Sequence, residues 1–180
     1  MTSIQKEPPA LDPLTSAAVA IAIVVALNKP FYPLYVWYLA GSGLTASLYS
    51  LMSFPLFAAL PFLARRNPLA ARIGLVVVGT VDTLIITRFM GEATGTWLFA
   101  LPCLTLAAVS FYEDEKWISR GLIAAGFLAV VVMHGRYGAP IDMILPEDIA
   151  TLFTLNVVGA ASLAAFIGLR FPLRGRANTA

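Results

Sequence analysis

The chain has one cysteine, Cys103, and one histidine, His134, in 180 residues. A single cysteine excludes an internal disulfide and any multi-cysteine metal site. One residue of each kind also excludes a paired-histidine metal centre and a haem with two axial histidines. The sequence contains no phosphate-binding glycine loop, nucleophile elbow or lipidation box. Enzymatic, metal and cofactor chemistry are therefore not expected. Charge is scarce as well. Asp, Glu, Lys and Arg make up 12% of the chain, the net charge is +2, and the basic residues are scattered, so nucleic acid is not an expected partner. The first fifteen residues carry Lys6, Glu7, Asp12 and several prolines instead of a basic leader, so no cleaved signal peptide is expected.

What the chain does have is apolar surface. It is 59% hydrophobic with mean hydropathy +0.81, whereas soluble domains are about half apolar and a quarter charged. The apolar runs are long, and a bilayer core takes roughly 20 helical residues per crossing. The expected fold is all-α: a polytopic integral membrane protein with six transmembrane helices. The spans fall near residues 14–27, 44–63, 70–89, 97–112, 117–134 and 149–169. Asn28-Lys29-Pro30, Arg65-Arg66-Asn67-Pro68 and Pro172 act as stops, and Pro55, Pro61 and Pro102 are expected to kink their helices. Residues 1–12 and 172–180 form tails around a single bundle of residues 13–171.

Basic residues orient the bundle. With an inner N-terminus, Lys6, Arg65, Arg66, Arg72, Lys116, Arg120, Arg170, Arg174 and Arg176 lie inside, and Lys29, Arg88 and Arg136 lie outside. Cytoplasmic loops are enriched in Lys and Arg, so both termini are expected to be cytoplasmic, in a bacterial inner membrane. Between the first two spans, residues 29–43 form an aromatic segment with Phe31, Tyr32, Tyr35, Trp37 and Tyr38, suited to the outer headgroup level. Residues 138–148 alternate apolar and acidic residues, and Glu147 and Asp148 suit the positive end of the helix that follows.

Asp82 is the one acidic residue inside a predicted span. A carboxylate in hydrocarbon is costly, so it faces a partner or a cavity. It lies about 18 Å along its helix, in the outer half. Arg88, six residues on, is about 240° around the helix and is a poor partner. Helix direction places Cys103, Asn156 and His134 in the same outer layer, beneath the aromatic cap with Tyr32, Tyr35 and Trp37. These seven residues, Asp82, Asn156, Tyr35, Tyr32, Trp37, His134 and Cys103, are the candidate ligand-binding set. A bundle-holding hydrogen bond to a hydroxyl explains Asp82 equally well, and Asn156 reads as an interhelical tie. Rows of small residues, Ala18-Ala22-Ala26, Gly121-Ala125-Ala129 and Ala160-Ala164-Gly168, permit close helix approach within the bundle or against another subunit.

The six short spans, the aromatic first outer loop, the Gly91-Glu92-Ala93-Thr94-Gly95-Thr96-Trp97 turn and Asn156 in the last span resemble the six-helix membrane modules of bacterial sensor kinases and nucleotide cyclases. The resemblance covers residues 11–171. It implies reception of a small hydrophobic signal or anchoring of an output domain. The chain departs from those modules by ending at Ala180 with no linker helix or catalytic domain, so a signal is expected to pass to a separate protein. Six helices in this length also resemble the vitamin-binding subunits of energy-coupling-factor transporters. Three functions follow: a receptor-like module for a small or hydrophobic ligand; a small-solute transporter or its substrate-binding subunit, docking through Ala18-Ala22-Ala26; and an accessory subunit of a larger membrane complex. The expected partners are membrane lipids and a membrane protein or a second copy of the chain.

Overall fold

A computed structural model describes residues 11–171. Seven helices follow one another: α1 (Pro13–Asn28), α2 (Phe31–Leu39), α3 (Leu44–Arg66), α4 (Pro68–Met90), α5 (Thr96–Val109), α6 (Lys116–Met133) and α7 (Pro146–Arg170). No strand occurs among the described residues. Four segments are long and apolar enough to cross a membrane: α3, α4, Glu113–Met133 and α7. Helices α1 and α2, bent by 46° at their junction, pass the same test only when taken as one unit, a broken span or a re-entrant loop, and α5 is a shorter apolar helix.

The surface is that of a lipid-facing protein. Leu27, Phe62, Trp117 and Leu169 are 64%, 70%, 71% and 86% exposed. Apolar exposure on this scale is unusual for a soluble monomer. The interior is instead rich in small residues, among them Ala17, Ala18, Ala22, Ala26, Ala64, Ala71 and Ala107. In lipid the helices gain little from hiding apolar surface from one another, so close van der Waals approach between small residues holds them together. The Ala18-Ala22-Ala26 row is spent in this way, buried in the core that α1 shares with α3 and α4.

Two helices depart from the expected run. Pro30 and Pro33 lack the N–H groups that would bond the Ala26 and Lys29 carbonyls, and their rings crowd the preceding turn. Those carbonyls are taken by donors three residues on, Lys29 N–H at 3.3 Å and Tyr32 N–H at 3.3 Å, and the chain bends there. The aromatic segment is therefore not a loop: it continues the first span as helix α2 beyond a break. In α3, Pro55 cannot bond the Leu51 carbonyl, which accepts from Phe54 N–H instead, and Tyr49–Ser53 tightens into a 3-10 turn. The segment still reads as one continuous span.

The two ends are tied differently. At the Pro68 end, the nearly buried Arg72 grips Glu115 through two bonds of 2.7 Å and donates to the Ser110 carbonyl at 2.9 Å. Its guanidinium also lies 5.1 Å from the Tyr112 ring centroid. Tyr112 in turn donates its hydroxyl to Asp12 at 2.8 Å, and Asp12 caps α1 by accepting from Thr15 N–H at 3.0 Å. At the Met90 end, Asp148 in the first turn of α7 accepts from Ser42, and Asp142 accepts from Thr45 N–H at 3.0 Å. Arg88 reaches outward to the Ala139 carbonyl at 2.7 Å. The acidic residues 142 and 148 are thus occupied by backbone and hydroxyl donors.

Removing one side of a buried ion pair leaves the other charge unpaired. Arg72→Met is expected to lower unfolding stability in mild detergent by about 3–5 kcal/mol, whereas the exposed Arg65→Met stays within about 0.5 kcal/mol. Denaturant titration followed by circular dichroism measures both. A change at Arg72 no larger than that at Arg65 contradicts the clamp.

Candidate functional site

The break at Pro30 determines where Lys29 goes. Sequence reading assigns this lysine to an outer loop, but the bend turns it into the bundle, where it is 9% exposed and forms an ion pair with Asp82. Asp82 therefore has the cation partner that no residue on its own helix supplies. Its other oxygen accepts from the Ser53 hydroxyl at 2.6 Å. The hydroxyl tie considered for Asp82 is thus present, together with a counter-ion. The Lys29 ammonium also lies 5.5 Å from the Phe57 ring centroid. Ser53 reaches the carboxylate because the 3-10 turn ahead of Pro55 carries Ser50 and Ser53 into the interior, 3% and 8% exposed.

The pair lines a cavity of about 780 Å³, within the range usual for small-molecule sites. Asp82, Asn156, Tyr32, Tyr35 and Cys103 line it, so five of the seven sequence candidates meet in one space. Asn156 is fully buried: its carbonyl accepts from the Tyr32 hydroxyl at 3.2 Å and its amide donates to the Thr94 carbonyl at 2.9 Å. It joins α7 to α2 and to the Gly91–Trp97 turn, which is the tie expected of it. Gly95 holds that turn in the left-handed region at φ 78°. Thr96 then donates to the Thr87 hydroxyl at 3.1 Å. Cys103 is buried, with its Sγ 4.0 Å from the Thr83 hydroxyl. Glycine at position 79 gives it room, since a Cβ there would sit 3.0 Å from Sγ.

Two candidates fall elsewhere. Trp37 is 60% exposed on the outward face of α2 and does not line the cavity. The His134 side chain is 73% exposed, pairs with Glu92 and meets the Trp97 ring edge-on at 6.5 Å between centroids. Neither side chain turns toward the cavity. Sequence reading missed Lys29, Ser50 and Ser53. The signals that would have found them are the Pro30–Pro33 pair and a serine repeat just before Pro55.

The lining is mostly aliphatic and aromatic with one polar end, an arrangement suited to holding a molecule and poor in reactive groups. Among the described residues no group of three or more His, Cys, Asp or Glu is placed to hold a metal ion. An all-helical bundle with a lipid-facing surface and a chambered interior is a membrane module. A family model makes the class specific: residues 12–180 match MASE7, and the chain belongs to this membrane-associated sensor domain family. No curated protein matches the chain.

Because neither charge is tolerable alone, the pair is expected to be strongly non-additive. Lys29→Met leaves a buried carboxylate and is expected to cost about 3–5 kcal/mol, while Lys29→Met/Asp82→Leu recovers at least about 2 kcal/mol of the summed single losses. Denaturant unfolding of the four proteins in one detergent measures the cycle. Additivity within about 0.5 kcal/mol contradicts the pairing.

Proposed function

We propose that this chain is a receptor-like sensor module of the bacterial cytoplasmic membrane that binds a small or hydrophobic ligand in the outer half of its bundle and has no catalytic activity of its own. In this reading the bundle crosses the membrane six times, with the α1–α2 pair as one bent span and both termini cytoplasmic. The observation that carries it is the cavity with a single polar end in a member of a sensor-domain family. Topology has separate support. Arg65, Arg66, Arg72, Lys116, Arg120 and Arg170 gather at the Pro68 end, against Arg88 and Arg136 at the other, as cytoplasmic enrichment of basic residues requires. Lys29 drops out of that comparison, which sharpens it.

In this reading output passes to a separate protein through the inner loops or tails, unlike the sensor kinase and cyclase modules that the sequence resembles, which anchor an output domain. Helix α1 offers a physical link. It lines the cavity along Ile21–Asn28, and its other end is capped by Asp12 in the Tyr112–Glu115–Arg72 network. Helix α6 exposes Phe127, Leu128, Val131 and Val132, and lipids, a partner membrane protein or a second copy of the chain would cover it. The transporter reading loses its proposed docking row, because Ala18, Ala22 and Ala26 are buried within the bundle.

Two experiments test this reading. A set of lipophilic small molecules is expected to contain at least one that raises the thermal midpoint of the protein in nanodiscs, as saturating binding must. Ser162→Phe, which fills the cavity from α7, is expected to abolish that shift. Stable copurification in a defined complex with no ligand dependence would sink the receptor assignment, and uptake of the bound compound into liposomes would make the chain a transporter. For topology, single cysteines at positions 67 and 138 in a Cys103→Ala background are expected to react with an impermeant maleimide from the cytoplasmic and external sides respectively; the reverse pattern overturns the orientation.

A further inference from the structure

The cavity is not closed equally on all sides. Most of the residues that line it from α4 and α5, Leu75, Thr83, Ile86, Thr96, Cys103 and Leu106 among them, are buried, and none is exposed. Its exposed lining residues are Val24, Leu27 and Asn28 of α1, Phe31 and Tyr35 of α2, and Val158 and Ser162 of α7. The mouth therefore lies between the α1–α2 span and α7. Val158 and Ser162 stand near the middle of α7, a 25-residue helix. A mouth at that depth, rimmed mainly by apolar side chains, faces acyl chains rather than water.

The polar end has hydrogen-bond donors without partners. Both Asp82 oxygens are engaged, by Lys29 and by Ser53. Both Asn156 side-chain atoms are engaged as well. The Ser50 hydroxyl is buried, lines the cavity and has no hydrogen-bond partner. The Lys29 ammonium has three N–H donors and a single recorded acceptor, Asp82. Ser50 and Lys29 thus have spare donors that an acceptor oxygen on a guest would satisfy. The site's charges already cancel, so a charged guest would bring an uncompensated ion into a low-dielectric space.

We propose that the cavity admits, sideways from the bilayer through the α1/α7 gap, an uncharged single-chain amphiphile whose carbonyl or hydroxyl oxygen accepts from Ser50 and Lys29. Its alkyl chain lies along Val25, Leu163 and Phe166, past the mouth and into the apolar part of the cavity. The proposal rests on the receptor reading above and names the ligand class and route within it.

The test is photolabelling of the full chain in phosphatidylcholine nanodiscs with a diazirine-bearing alkyl methyl ketone, mapped by mass spectrometry. Competitors of matched chain length are methyl decyl ketone, dodecanol, dodecanoate, dodecylammonium and dodecane. Labelling is expected at α1 and α7 positions that line the cavity, and to be displaced by the ketone and the alcohol but not by the two ions or the alkane. Ser50→Ala is expected to weaken competition about fivefold, as loss of one hydrogen bond does. Val158→Trp, at the rim and away from the polar end, is expected to suppress labelling of Phe166 while the helical content of the protein is unchanged. Equal displacement by dodecane means bulk lipid in a gap and overturns the proposal. Preferential displacement by dodecanoate or dodecylammonium overturns the uncharged class, and cavity binding undisturbed by Val158→Trp overturns the lateral route; both leave the receptor reading standing. Labelling confined to outward residues such as Phe62 and Leu128, with no compound of any class protecting the cavity, overturns the proposal and the receptor reading together.

Discussion

The ion pair between Lys29 and Asp82 is the constraint on which the rest of this bundle depends. Each charge alone is expensive in hydrocarbon. Together, with the Ser53 hydroxyl on the second carboxylate oxygen, they form a neutral and largely satisfied unit. To deliver Lys29 at that depth the first span has to break, and Pro30 and Pro33 break it. Once it is broken, α2 leans across the bundle and its Tyr32 reaches Asn156. Asn156 then fixes the carbonyl of Thr94 in the turn between α4 and α5. The polar end of the cavity follows from one pairing and the two prolines that make it reachable.

The remaining architecture divides the bundle into a tight side and a loose one. Helix α4 packs against α1, α3 and α5, with small residues closing the distance. The contact between α1 and α7 is much sparser, and there the interior opens. At the opposite end of the bundle from the Lys29–Asp82 pair, Arg72 and Glu115 lock the α5–α6 turn to α4, and Tyr112 extends the lock to the cap of α1. Helix α1 therefore has one end in the chamber wall and the other in a hydrogen-bonded collar. That placement suits the MASE7 family, whose members are membrane-associated sensor domains.

Much of this was legible in the sequence, and the gaps have physical causes. Helical character follows from long apolar runs: each predicted stretch is helical, four are long and apolar enough to cross a membrane, the first qualifies only together with α2, and α5 is shorter. Depth is equally legible, because a helix rises by a fixed amount per residue. That is why Asp82, Asn156, Cys103, Tyr32 and Tyr35 could be assigned to one layer. Azimuth is not legible in the same way: the same reading puts His134 and Trp37 in that layer, yet neither side chain turns toward the cavity. Lys29 was missed for a different reason. A proline after an apolar run reads the same whether the helix ends there or breaks and resumes, and only the partner on another helix distinguishes the two. Asp82 advertised the need for a cation; the residue that meets the need is fifty-three positions away.

The most direct measurement is the dipolar coupling between the Lys29 side-chain nitrogen and the Asp82 carboxylate carbon, by solid-state NMR on the labelled protein in lipid bilayers. A broken first span closed by this pair predicts strong dephasing, at a separation of about 4 Å or less, as in a direct ion pair. Absence of that coupling, with the Lys29 ammonium showing contact to lipid phosphate instead, would return the lysine to the headgroups and contradict the account.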